Sequence, residues 1–541
     1  MTGEMLDYLI IGAGPAGLQL AALLERDGRR DYLVLESADA PGAFFARFPR
    51  HRQLISINKP HTGSDDPELN LRLDWNSLLD DDPALRFTRY TERYFPDADV
   101  MLRYLADFAA ATGVRVRYGS RVVRVARTGD GSGGGDIGGD GGNGGDGFEV
   151  TDAAGTTHRA RRVVVATGVS RPYVAPIPGI ELAERYDEMP VDPRDFLDQR
   201  VLVIGKGNSA FETADNLMET TTLVHLAGPG SVRMAWRTHY VGHLRAVNNN
   251  FLDTYQLKSA NAILDGHVRG IERDGDGYRV TFSFSRANEV TKELRYDRVL
   301  ACTGFRFDPS IFAEGCRPAL VINDRFPAQT PAFESVNVPG LYFAGTLTQE
   351  RDFKKSTNGF IHGFRYAVRA LHRILERRHH DNPWPAEKLD ATAGSTADAI
   401  IERVNRSSGL WQQFGVLADV LTVAGSDARY HEEVPVDYFG QVGLATADHP
   451  VEHAFVVTLE YGPDHDQVDP FDISVSRIAQ DTAGQAHDAA YLHPVVRHHR
   501  GGRVVAVHHL AENLENQWDK PDVHRAPLVA FLDRCLTTTV G

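Results

Sequence analysis

The sequence predicts an α/β protein built from two similar strand–turn–helix units, the second inserted within the first, followed by a C-terminal α+β region. Three observations predict this arrangement. Residues 12–17 and 205–210 form two glycine-rich turns, each lying between a short apolar strand and an amphipathic helix. Apolar strands ending in Thr-Gly, at residues 167–168 and 303–304, lie before and after the second unit. The composition then changes near Trp384, which lies between two prolines.

Composition excludes several classes of protein. The chain has 541 residues, 42% of them hydrophobic, which is enough for about three domains with cores of their own. Its formal net charge of −15 argues against binding nucleic acid or an anionic membrane by charge. No apolar stretch reaches the roughly 20 residues of a membrane span, and the first residues lack the features of a secretory signal. A cytoplasmic protein is therefore expected.

The first glycine turn carries a dinucleotide-binding fingerprint in its full context. A strand at residues 8–11 leads into Gly12, Gly14 and Gly17, a helix follows, and the next strand ends at Glu36. Gly12 allows the tight turn, Gly14 lets the backbone approach a pyrophosphate, and Gly17 lets helix and strand pack closely. The N-terminus of the helix favours the pyrophosphate, and a carboxylate at the end of the second strand can accept hydrogen bonds from ribose hydroxyls.

The second glycine turn repeats the pattern with two differences. Gly205 and Gly207 follow a strand, but Ala210 takes the place of the third glycine, which is an allowed variant. No carboxylate ends the next strand, and Arg233 and Arg237 lie shortly beyond it. Without an acid for the ribose 2′-hydroxyl, and with arginines for a 2′-phosphate, NADPH is favoured over NADH. The alternative is that the two arginines are solvated surface residues.

Two Rossmann-like folds in one chain imply two dinucleotides, FAD at the N-terminal fold and NADPH at the inserted one. A strand near residues 340–345 returns to the first fold, and a helix begins around Gly359. The dipole of that helix would stabilise negative charge at the N1–C2=O edge of the flavin. The predicted domains are an FAD-binding domain over residues 1–198 and 306–382, an NADPH-binding domain over 199–305, and a C-terminal α+β domain over 386–541.

Two further regions are predicted from their composition. The C-terminal region begins with an amphipathic helical stretch at residues 396–422, and strands follow near 455–459 and 504–507. This region could cap the active site, dock on the first fold or form an oligomer, and the sequence leaves these alternatives open. The glycine–aspartate segment 129–147 is predicted to be a hairpin tip.

No metal site is predicted. The histidine pairs at residues 379–380 and 498–499 lie beside arginines and are interpreted as surface residues rather than ligands. The three cysteines, Cys302, Cys316 and Cys535, include no CxxC pair. A disulfide framework and a dithiol redox motif are therefore both disfavoured.

These motifs resemble those of the two-dinucleotide flavoproteins, most specifically the flavin-containing monooxygenase type, which shares GxGxxG, GxGxSA and a crossing like residues 301–304. Over nearly the whole chain, the sequence is identified as a member of the FAD-dependent oxidoreductase domain-containing family. That family includes an endoplasmic-reticulum flavoprotein linked to disposal of misfolded proteins, a role that is not carried over to this chain. The segments that carry the resemblance are residues 44–52, 54–59, 74–79, 207–214, 238–242, 253–259, 359–366 and 408–420.

Two departures from the monooxygenase pattern limit what the resemblance implies. The FxGxxxHxxx(Y/F/W) signature should lie near residues 178–180, but the stretch that follows lacks the histidine. A Baeyer–Villiger activity is therefore disfavoured. Gly345 is followed by Thr346 rather than by the acid that often holds the ribityl chain in related reductases.

Asn58 and Lys59 are the candidate catalytic residues. The resemblance implies an asparagine beside the flavin ring, where its amide can hydrogen-bond a flavin peroxide or the nicotinamide. The alternative is a turn asparagine satisfied by the local backbone. The residues predicted to bind the cofactors are Gly12, Gly14, Pro15, Ala16, Gly17, Glu36, Ser37, Phe44, Phe45, Arg47, Asn58, Val122, Thr167, Gly168, Gly205, Gly207, Asn208, Ser209, Ala210, Arg233, Thr303, Gly304, Gly345, Thr346, Gly359 and His362.

We expect an NADPH-dependent flavin monooxygenase that forms a C4a-(hydro)peroxyflavin in a water-poor pocket and oxygenates a small molecule at nitrogen, sulfur or carbon. The alternative is an FAD/NADPH reductase that passes electrons to a disulfide, a quinone or a protein acceptor. A third interpretation, a flavin-bearing interaction protein, is disfavoured by the intact second glycine turn. The expected partners are a small-molecule substrate and O2, with no nucleic acid and no membrane, and a homodimer is left open.

Overall fold

The computed structural model describes residues 5–28, 30–128, 147–255 and 260–537. The glycine–aspartate segment predicted to be a hairpin tip lies, except for Gly147, outside the described residues. Residues 256–259, part of one segment that carries the family resemblance, lie outside them as well. None of the helices in the described part of the chain is long and apolar enough to span a membrane.

Helices of very different length alternate with the strands. The helices are α1 (Pro15–Gly28), α2 (Ala43–Arg47), α3 (Pro67–Asn70), α4 (Ala98–Thr112), α5 (Asn208–Leu217), α6 (Ala235–Thr238), α7 (Asn250–Thr254), α8 (Ile361–His379), α9 (Ala393–Arg406), α10 (Ser408–Gln412), α11 (Val436–Val442) and α12 (Ala526–Thr537). The strands are β1 (Leu6–Ile11), β2 (Tyr32–Leu35), β3 (Val116–Arg117), β4 (Val122–Arg127), β5 (Phe148–Asp152), β6 (Thr157–Val165), β7 (Arg171–Pro172), β8 (Glu184–Arg185), β9 (Arg200–Ile204), β10 (Leu223–Gly228), β11 (Asn261–Asp274), β12 (Gly277–Phe284), β13 (Val290–Tyr296), β14 (Arg298–Ala301), β15 (Phe305–Arg306), β16 (Leu320–Val321), β17 (Phe326–Pro327), β18 (Leu341–Phe343), β19 (Glu387–Asp390), β20 (Leu417–Ala424), β21 (Asp427–Pro435), β22 (His453–Glu460), β23 (His493–Arg500) and β24 (Arg503–His509).

The first sheet has the order β3-β2-β1-β6-β5-β4, and β18 also pairs with β6. β1 lies between β2 and β6 and is parallel to both, with Ile10 opposite Val34 and Val164. β18 is parallel to β6, so the strand predicted to return to the first fold does so. Parallel strands are covered on both faces, and the buried apolar runs of β1 and β6 fit that position.

The second sheet has the order β13-β12-β11-β10-β9-β14-β8. Its parallel part runs from β11 to β8, while β12 and β13 extend the sheet as an antiparallel hairpin pair. Two short strands, β7 and β15, pair antiparallel where the chain passes between the two sheets. The predicted α/β class with two Rossmann-like folds is confirmed, whereas the exact domain limits stay a prediction.

The C-terminal region contains an antiparallel sheet of order β19-β21-β20-β22-β23-β24. One face of this sheet, including Val420 and Val456, belongs to the same apolar cluster as α8. The other face, including Leu421 and Phe455, packs with α9 and α12. The sheet is therefore held between α8 of the first fold and the helices of its own region, which gives it one core shared with that fold.

Two sequence interpretations of this half of the chain are wrong. The stretch at residues 396–422 is not helical throughout, because α10 ends at Gln412 and Leu417 begins the buried strand β20. The histidine pairs are not simply surface residues: His498 is buried 2.9 Å from His453 Nδ1, while the other three are partly buried and His380 Nε2 lies 2.8 Å from the hydroxyl of Tyr8. Within the described residues no three His, Cys, Asp or Glu side chains are grouped so as to hold a metal ion.

Candidate functional site

The first glycine turn follows β1 and leads into α1. Gly12 has φ +104°, in the region that favours glycine, and its N–H donates to the carbonyl of Leu35 at 2.8 Å. A Cβ on Gly17 would overlap the carbonyl oxygen of Gly12, so the close approach of helix and turn requires glycine there. A Cβ on Gly14 would meet nothing within 4 Å, which leaves open space beside the backbone at the N-terminus of α1.

The carboxylate of Glu36 lies against this turn and is buried. Its Oε2 accepts the N–H of Ala13 at 2.7 Å, while its Oε1 accepts the N–H of Ala38 at 2.9 Å and the hydroxyl of Ser37 at 3.0 Å. A carboxylate has about four acceptor positions, so one remains for a ribose hydroxyl. Glu36 therefore fixes the turn and can still accept a hydrogen bond from a ribose hydroxyl, as the sequence predicts.

The ends of three parallel strands meet beside this turn. A Cβ on Gly345, which follows β18, would lie 2.7 Å from the Cβ of Ala16 in α1. A Cβ on Gly168, which follows β6, would lie 3.0 Å from the Oγ1 of Thr346. Ligands of open α/β sheets bind at the carboxyl ends of the strands, and the predicted residues Pro15, Thr167 and Gly359 lie on these same turns or on the segment that follows β18.

His362, in the first turn of α8, is fully buried and neither ring nitrogen has a hydrogen-bond partner. Its ring stacks on Trp75 with the centroids 4.2 Å apart and on Phe360 at 5.8 Å. Burial, assisted by the positive charges of Arg365 and Arg245, lowers the pKa of His362 well below its usual value. A buried imidazole without hydrogen-bond partners is unusual, and this one is held by stacking on Trp75 and Phe360.

Three residues of the first fold that are predicted to bind a cofactor contact other parts of the protein. Arg47 is exposed and donates to the backbone and side-chain oxygens of Asp187 at 2.9 and 3.1 Å. Val122 is part of the apolar core behind β2. Phe44 is 48% exposed on α2 and touches the ring of Phe45.

The two candidate catalytic residues, Asn58 and Lys59, lie in different surroundings. Asn58 is buried, and its Nδ2 donates to the carbonyls of Thr91 at 2.7 Å and Arg93 at 3.3 Å. Both amide protons are thereby used by backbone carbonyls that lie 33 and 35 residues further along the chain, rather than by the local backbone, and only Oδ1 lacks a partner. Lys59 is exposed. The amide of Asn58 therefore has no proton left to donate, because it ties its own segment to the one at residues 91–93.

The second glycine turn joins β9 to α5. A Cβ on Gly205 would overlap the carbonyl oxygen of Cys302, whereas a Cβ on Gly207 would meet nothing within 4 Å. The buried Ala210 fits where the first turn requires glycine. Asn208 holds a neighbouring loop, since its Nδ2 donates to the carbonyl of His243 at 2.9 Å and its Oδ1 accepts the N–H of Arg245 at 3.0 Å.

A charged group that the sequence interpretation missed lies at the end of β10. Lys206 Nζ donates to the carbonyl of Gly230 at 3.0 Å and pairs with Asp265, which also pairs with Arg286 at 3.0 Å. Two cations thus share one carboxylate where the second ribose is expected. Asp265 lies opposite Gly228 in the register of β10 with β11, and only the pairing of the strands reveals this relation.

Arg233 is exposed, and its charge acts on His243 and on Lys354 of the first fold. Burial lowers the pKa of Lys354, on the segment after β18, and the positive charges of Arg233 and Arg325 lower it further. Burial, Lys354 and Arg233 together lower the pKa of His243 to about 4. Positive charge is therefore concentrated around this part of the second fold, where an anionic ligand would be stabilised.

A cavity of about 660 Å³ lies where the chain passes between the sheets. It is lined by residues of the predicted site, Ser209, Thr303 and Gly304, together with Tyr173 and Tyr186. Its lining also includes Glu184 and Arg185 of β8, the edge strand of the second sheet, and Ala301 of β14.

Glu212, in the second turn of α5, forms a buried contact that the sequence interpretation also missed. It accepts a hydrogen bond from the hydroxyl of Tyr186, and that hydroxyl accepts the N–H of Arg50 from the first fold at 3.2 Å. Burial raises the pKa of Glu212 to about 7, against the lowering effect of Tyr186. Glu212 lies as far beyond Gly205 as Gln19 lies beyond Gly12, and this internal repeat is a signal in the sequence.

The two folds meet between their glycine turns. The guanidinium of Arg245 lies 4.9 Å from the ring centre of Trp75, the same ring that stacks on His362. Gln349, on the segment after β18, donates to the hydroxyl of Tyr240. These contacts bring the loop after the second turn against the segment that leads into α8.

Residues 9–133 and 142–345 match the family model described as pyridine nucleotide-disulphide oxidoreductase. The FAD-dependent oxidoreductase domain-containing protein 2 of Mus musculus is 40% identical, over 98% of this chain and 84% of its own length. The chain belongs to this family of FAD-dependent oxidoreductases. The family membership expected from the sequence is therefore confirmed, and the chain is an FAD-dependent enzyme.

Solved structures agree with the fold. The flavin-containing monooxygenase from Stenotrophomonas maltophilia superposes with a TM-score of 0.52 at 18% identity, covering 69% of this chain and 99% of its own. The bacillithiol disulfide reductase Bdr from Bacillus cereus superposes with a TM-score of 0.51 at 21% identity, covering 69% of this chain and all of its own. The two-dinucleotide flavoprotein fold is common to both, so the likeness does not distinguish an oxygenase from a reductase.

Proposed function

We propose that this protein is an NADPH-dependent flavin monooxygenase, with FAD at the first glycine turn, NADPH at the second and a small organic substrate oxygenated between them. The observation that carries the proposal is the meeting of the two folds, where Arg245 covers Trp75 and Gln349 bonds to Tyr240. Hydride transfer needs the nicotinamide and the flavin in contact, and these contacts hold the two folds against each other.

The residues of the first fold fit FAD. Glu36 would accept a ribose hydroxyl, the open backbone at Gly14 would receive the pyrophosphate, and the N-terminus of α8 would face the pyrimidine ring. Asn58 would act only through its free Oδ1, because its amide protons are already donated.

The residues of the second fold favour NADPH. The end of β10 carries no acid of its own, and the one nearby carboxylate, Asp265, is shared by Lys206 and Arg286. Arg233 adds an exposed positive charge on the same side of the turn. A 2′-phosphate gains from such cations, whereas the ribose of NADH gains from an acid that is free to accept.

Bound FAD would supply hydride acceptance from the nicotinamide and reaction with O2. The protein's own residues would orient the rings and exclude water. The neutral His362 keeps a positive charge away from the buried ring site. Arg72 ties the first fold to the C-terminal region, donating to the carbonyls of Ser407 at 3.2 Å and Val404 at 3.0 Å. Exclusion of water favours oxygen transfer over release of hydrogen peroxide.

A reductase that passes electrons to a quinone or a protein acceptor is the second candidate, and the family description favours it. A relay through the protein's own thiols is disfavoured, because Cys302, Cys316 and Cys535 are all buried and none of them forms a disulfide. Burial raises the pKa of Cys302 to about 12, so its thiol is not reactive at neutral pH.

The test is the fate of electrons from NADPH. Purified protein is mixed with NADPH in air, with and without a panel of amines, sulfides and ketones, and the hydrogen peroxide released is compared with the NADPH consumed. The proposal predicts that one class of substrate lowers this ratio and yields an oxygenated product. A ratio near one with every substrate, together with fast anaerobic reduction of a quinone, would establish the reductase instead.

A further inference from the structure

Two cations of the first fold lie against one aromatic ring. The Nζ of Lys354 is 5.2 Å from the ring centre of Phe353, and the guanidinium carbon of Arg325 is 5.6 Å from the same ring centre. Lys354 is exposed, while Arg325 is half-buried and its Nε has no hydrogen-bond partner. Across the residues that the structure describes, neither side chain forms an ion pair. These two positive charges are therefore held close together without a carboxylate to offset them.

A cation of the second fold lies near this pair. Burial, and then the charges of Arg233 and Arg325, lower the pKa of Lys354, so Lys354 is close enough to both arginines for the charges to repel. Arg233 is exposed on the loop that follows β10, and it too forms no ion pair within the described part of the chain. The two folds therefore bring three uncompensated cations to one place.

The loop that carries Arg233 is held on both sides. Toward the second glycine turn, the Nδ2 of Asn208 donates to the carbonyl of His243 at 2.9 Å. Toward the first fold, the Nε2 of Gln349 donates to the hydroxyl of Tyr240. The repulsion among the three cations is therefore resisted by bonds on either side of the loop.

Clustered cations without a counterion differ from the rest of the chain, which has 73 acidic and 58 basic residues. Asp352 is the acid nearest to Lys354 along the sequence, but it is buried and accepts the N–H of Asn358 at 3.0 Å. Burial raises the pKa of Asp352 to about 7, so it offsets little of the positive charge. An anion bound beside the cluster would be stabilised by all three cations.

We propose that Lys354 and Arg325 bind the 2′-phosphate of NADPH together with Arg233, so that the first fold also selects the nicotinamide cofactor; this rests on the proposed function. A phosphate monoester carries about 1.5 to 2 negative charges at neutral pH and offers three acceptor oxygens, enough for one to each cation. An exposed ion pair contributes little by itself, so a firm preference for NADPH needs more than one cation.

A carboxylate on the oxygenated substrate would suit the same cations, but the position favours NADPH. Arg233 lies on the loop after β10, and the ribose of a dinucleotide bound to such a fold lies at the end of that strand. Lys354 and Arg233 are also exposed, whereas oxygenation takes place in a pocket that excludes water.

The experiment uses the full-length protein with its FAD bound and measures binding by calorimetry, so that no turnover is needed. The probes are ADP-ribose with and without a 2′-phosphate, which correspond to NADPH and NADH without the nicotinamide. Lys354→Gln is expected to weaken binding of the phosphorylated probe about fivefold and to leave the other within about twofold, because only the phosphate loses a charged contact. An equal loss for both probes, or no loss for either, would overturn the inference.

Lys355→Gln is the matched control. Lys355 is also an exposed lysine and its replacement removes the same charge, but it is not among the charges that act on Lys354 or on His243. This control is expected to leave the affinity for both probes within about twofold of the wild type. If it weakens the phosphorylated probe as much as Lys354→Gln does, the effect is one of net charge and the proposal fails.

Two further measurements separate binding from a structural role. Lys354→Arg keeps the charge and is expected to keep the preference for the phosphorylated probe within about twofold. Without any probe, Lys354→Gln is not expected to lower the melting temperature, because it removes repulsion from Arg233 and Arg325. A lower melting temperature would indicate a structural lysine and contradict the proposal.

The same titrations distinguish a failure of this inference from a failure of the proposed function. A wild-type protein that binds the two probes equally would overturn the NADPH site of the proposed function itself. A preference that is lost in Arg233→Gln but kept in Lys354→Gln would overturn only the contribution of the first fold.

Discussion

The two glycine turns have the same motif but are built for different tasks. In the first turn, the carboxylate of Glu36 is buried and already bonded to the turn through Ala13, and the contact of Gly17 with Gly12 leaves no room for a side chain. In the second turn, Ala210 is accommodated and no acid ends the following strand. The third position of the first turn therefore has no room for a side chain, whereas the same position of the second turn accommodates a methyl group.

The helices that follow the two turns differ in the same way. Gln19 of α1 is buried and makes both its bonds to the backbone of Leu79, donating to its carbonyl at 3.0 Å and accepting its N–H. Glu212 occupies the corresponding position of α5 and accepts from Tyr186. A neutral amide thus ties α1 to its surroundings at every pH, whereas α5 is tied by a group that titrates.

The largest expected effect tests the packing difference. Gly17→Ala places a Cβ over the carbonyl oxygen of Gly12, and we expect a loss of about 3 kcal/mol in the free energy of unfolding with purification in FAD-free form. Ala210→Gly, at the corresponding position, should cost only about 1 kcal/mol and keep FAD. Chemical denaturation and flavin content measure both, and equal effects would show that the two turns do not differ in packing.

The next effect separates the two ligands without disturbing the fold, since a Cβ on either Gly14 or Gly207 meets nothing within 4 Å. Gly14→Val should weaken FAD by more than about tenfold because the side chain blocks the approach of the pyrophosphate. Gly207→Val should keep FAD and lose reduction by NADPH. Both variants should melt near the wild-type temperature. If Gly207→Val loses FAD instead, the two sites have been assigned the wrong way round.

A pH effect tests the difference between Gln19 and Glu212. Because the pKa of Glu212 is raised from 4.5 to about 7 in the folded protein, the folded state binds more protons than the unfolded state in that range. Its contribution to stability is present at low pH and is lost as the pH rises through 7. Glu212→Gln, which copies the first helix, should therefore be more stable than the wild type at pH 8, on the order of 2 kcal/mol, with the difference vanishing near pH 4.

The exposed Glu219, at the end of the same helix, provides the control. Glu219→Gln should leave the pH profile unchanged. The free energy of unfolding of each variant is compared with that of the wild type at the same pH. This is needed because burial lowers the pKa of histidines such as His498 to about 4, which makes stability rise with pH and opposes the effect of Glu212. A difference between Glu212→Gln and wild type that does not change with pH would contradict the assignment.

The smallest effect tests cofactor choice at the second turn. Arg233→Gln should lower the ratio of kcat/KM for NADPH to that for NADH by about tenfold, equivalent to about 1.4 kcal/mol, with FAD content unchanged. The control is Arg295→Gln on β13, an arginine paired with Asp276 away from the turn. An unchanged ratio in Arg233→Gln would mean that the 2′-phosphate is bound elsewhere or that NADH is the natural donor.

The sequence could predict what depends on neighbours along the chain. The turns at Gly12 and Gly205, the returning strand β18 and the start of α8 follow from short-range patterns, and the structure places all of them as expected. It could not predict that Arg47 would pair with Asp187 or that Asn58 would donate to the carbonyl of Thr91, because those choices depend on which segments meet in space.

The C-terminal region shows the same limit. The apolar run from Leu417 to Ala424 fits a buried strand and a buried helix equally well in sequence, and its pairing with β21 and β22 decided the outcome. The contact between Asn358 and Gln413 joins residues 55 apart, and no local pattern marks either one. Asp265 became visible only through the register of β10 with β11.

The most direct test of the account is hydride transfer between the two turns. NADPH carrying deuterium at the transferred position of C4 is mixed anaerobically with the purified wild type, and bleaching of the bound flavin is followed. The account predicts one FAD per chain, full bleaching by one equivalent of NADPH, and a slower rate with the deuterated cofactor. A protein that contains FAD but is not bleached by NADPH would contradict it.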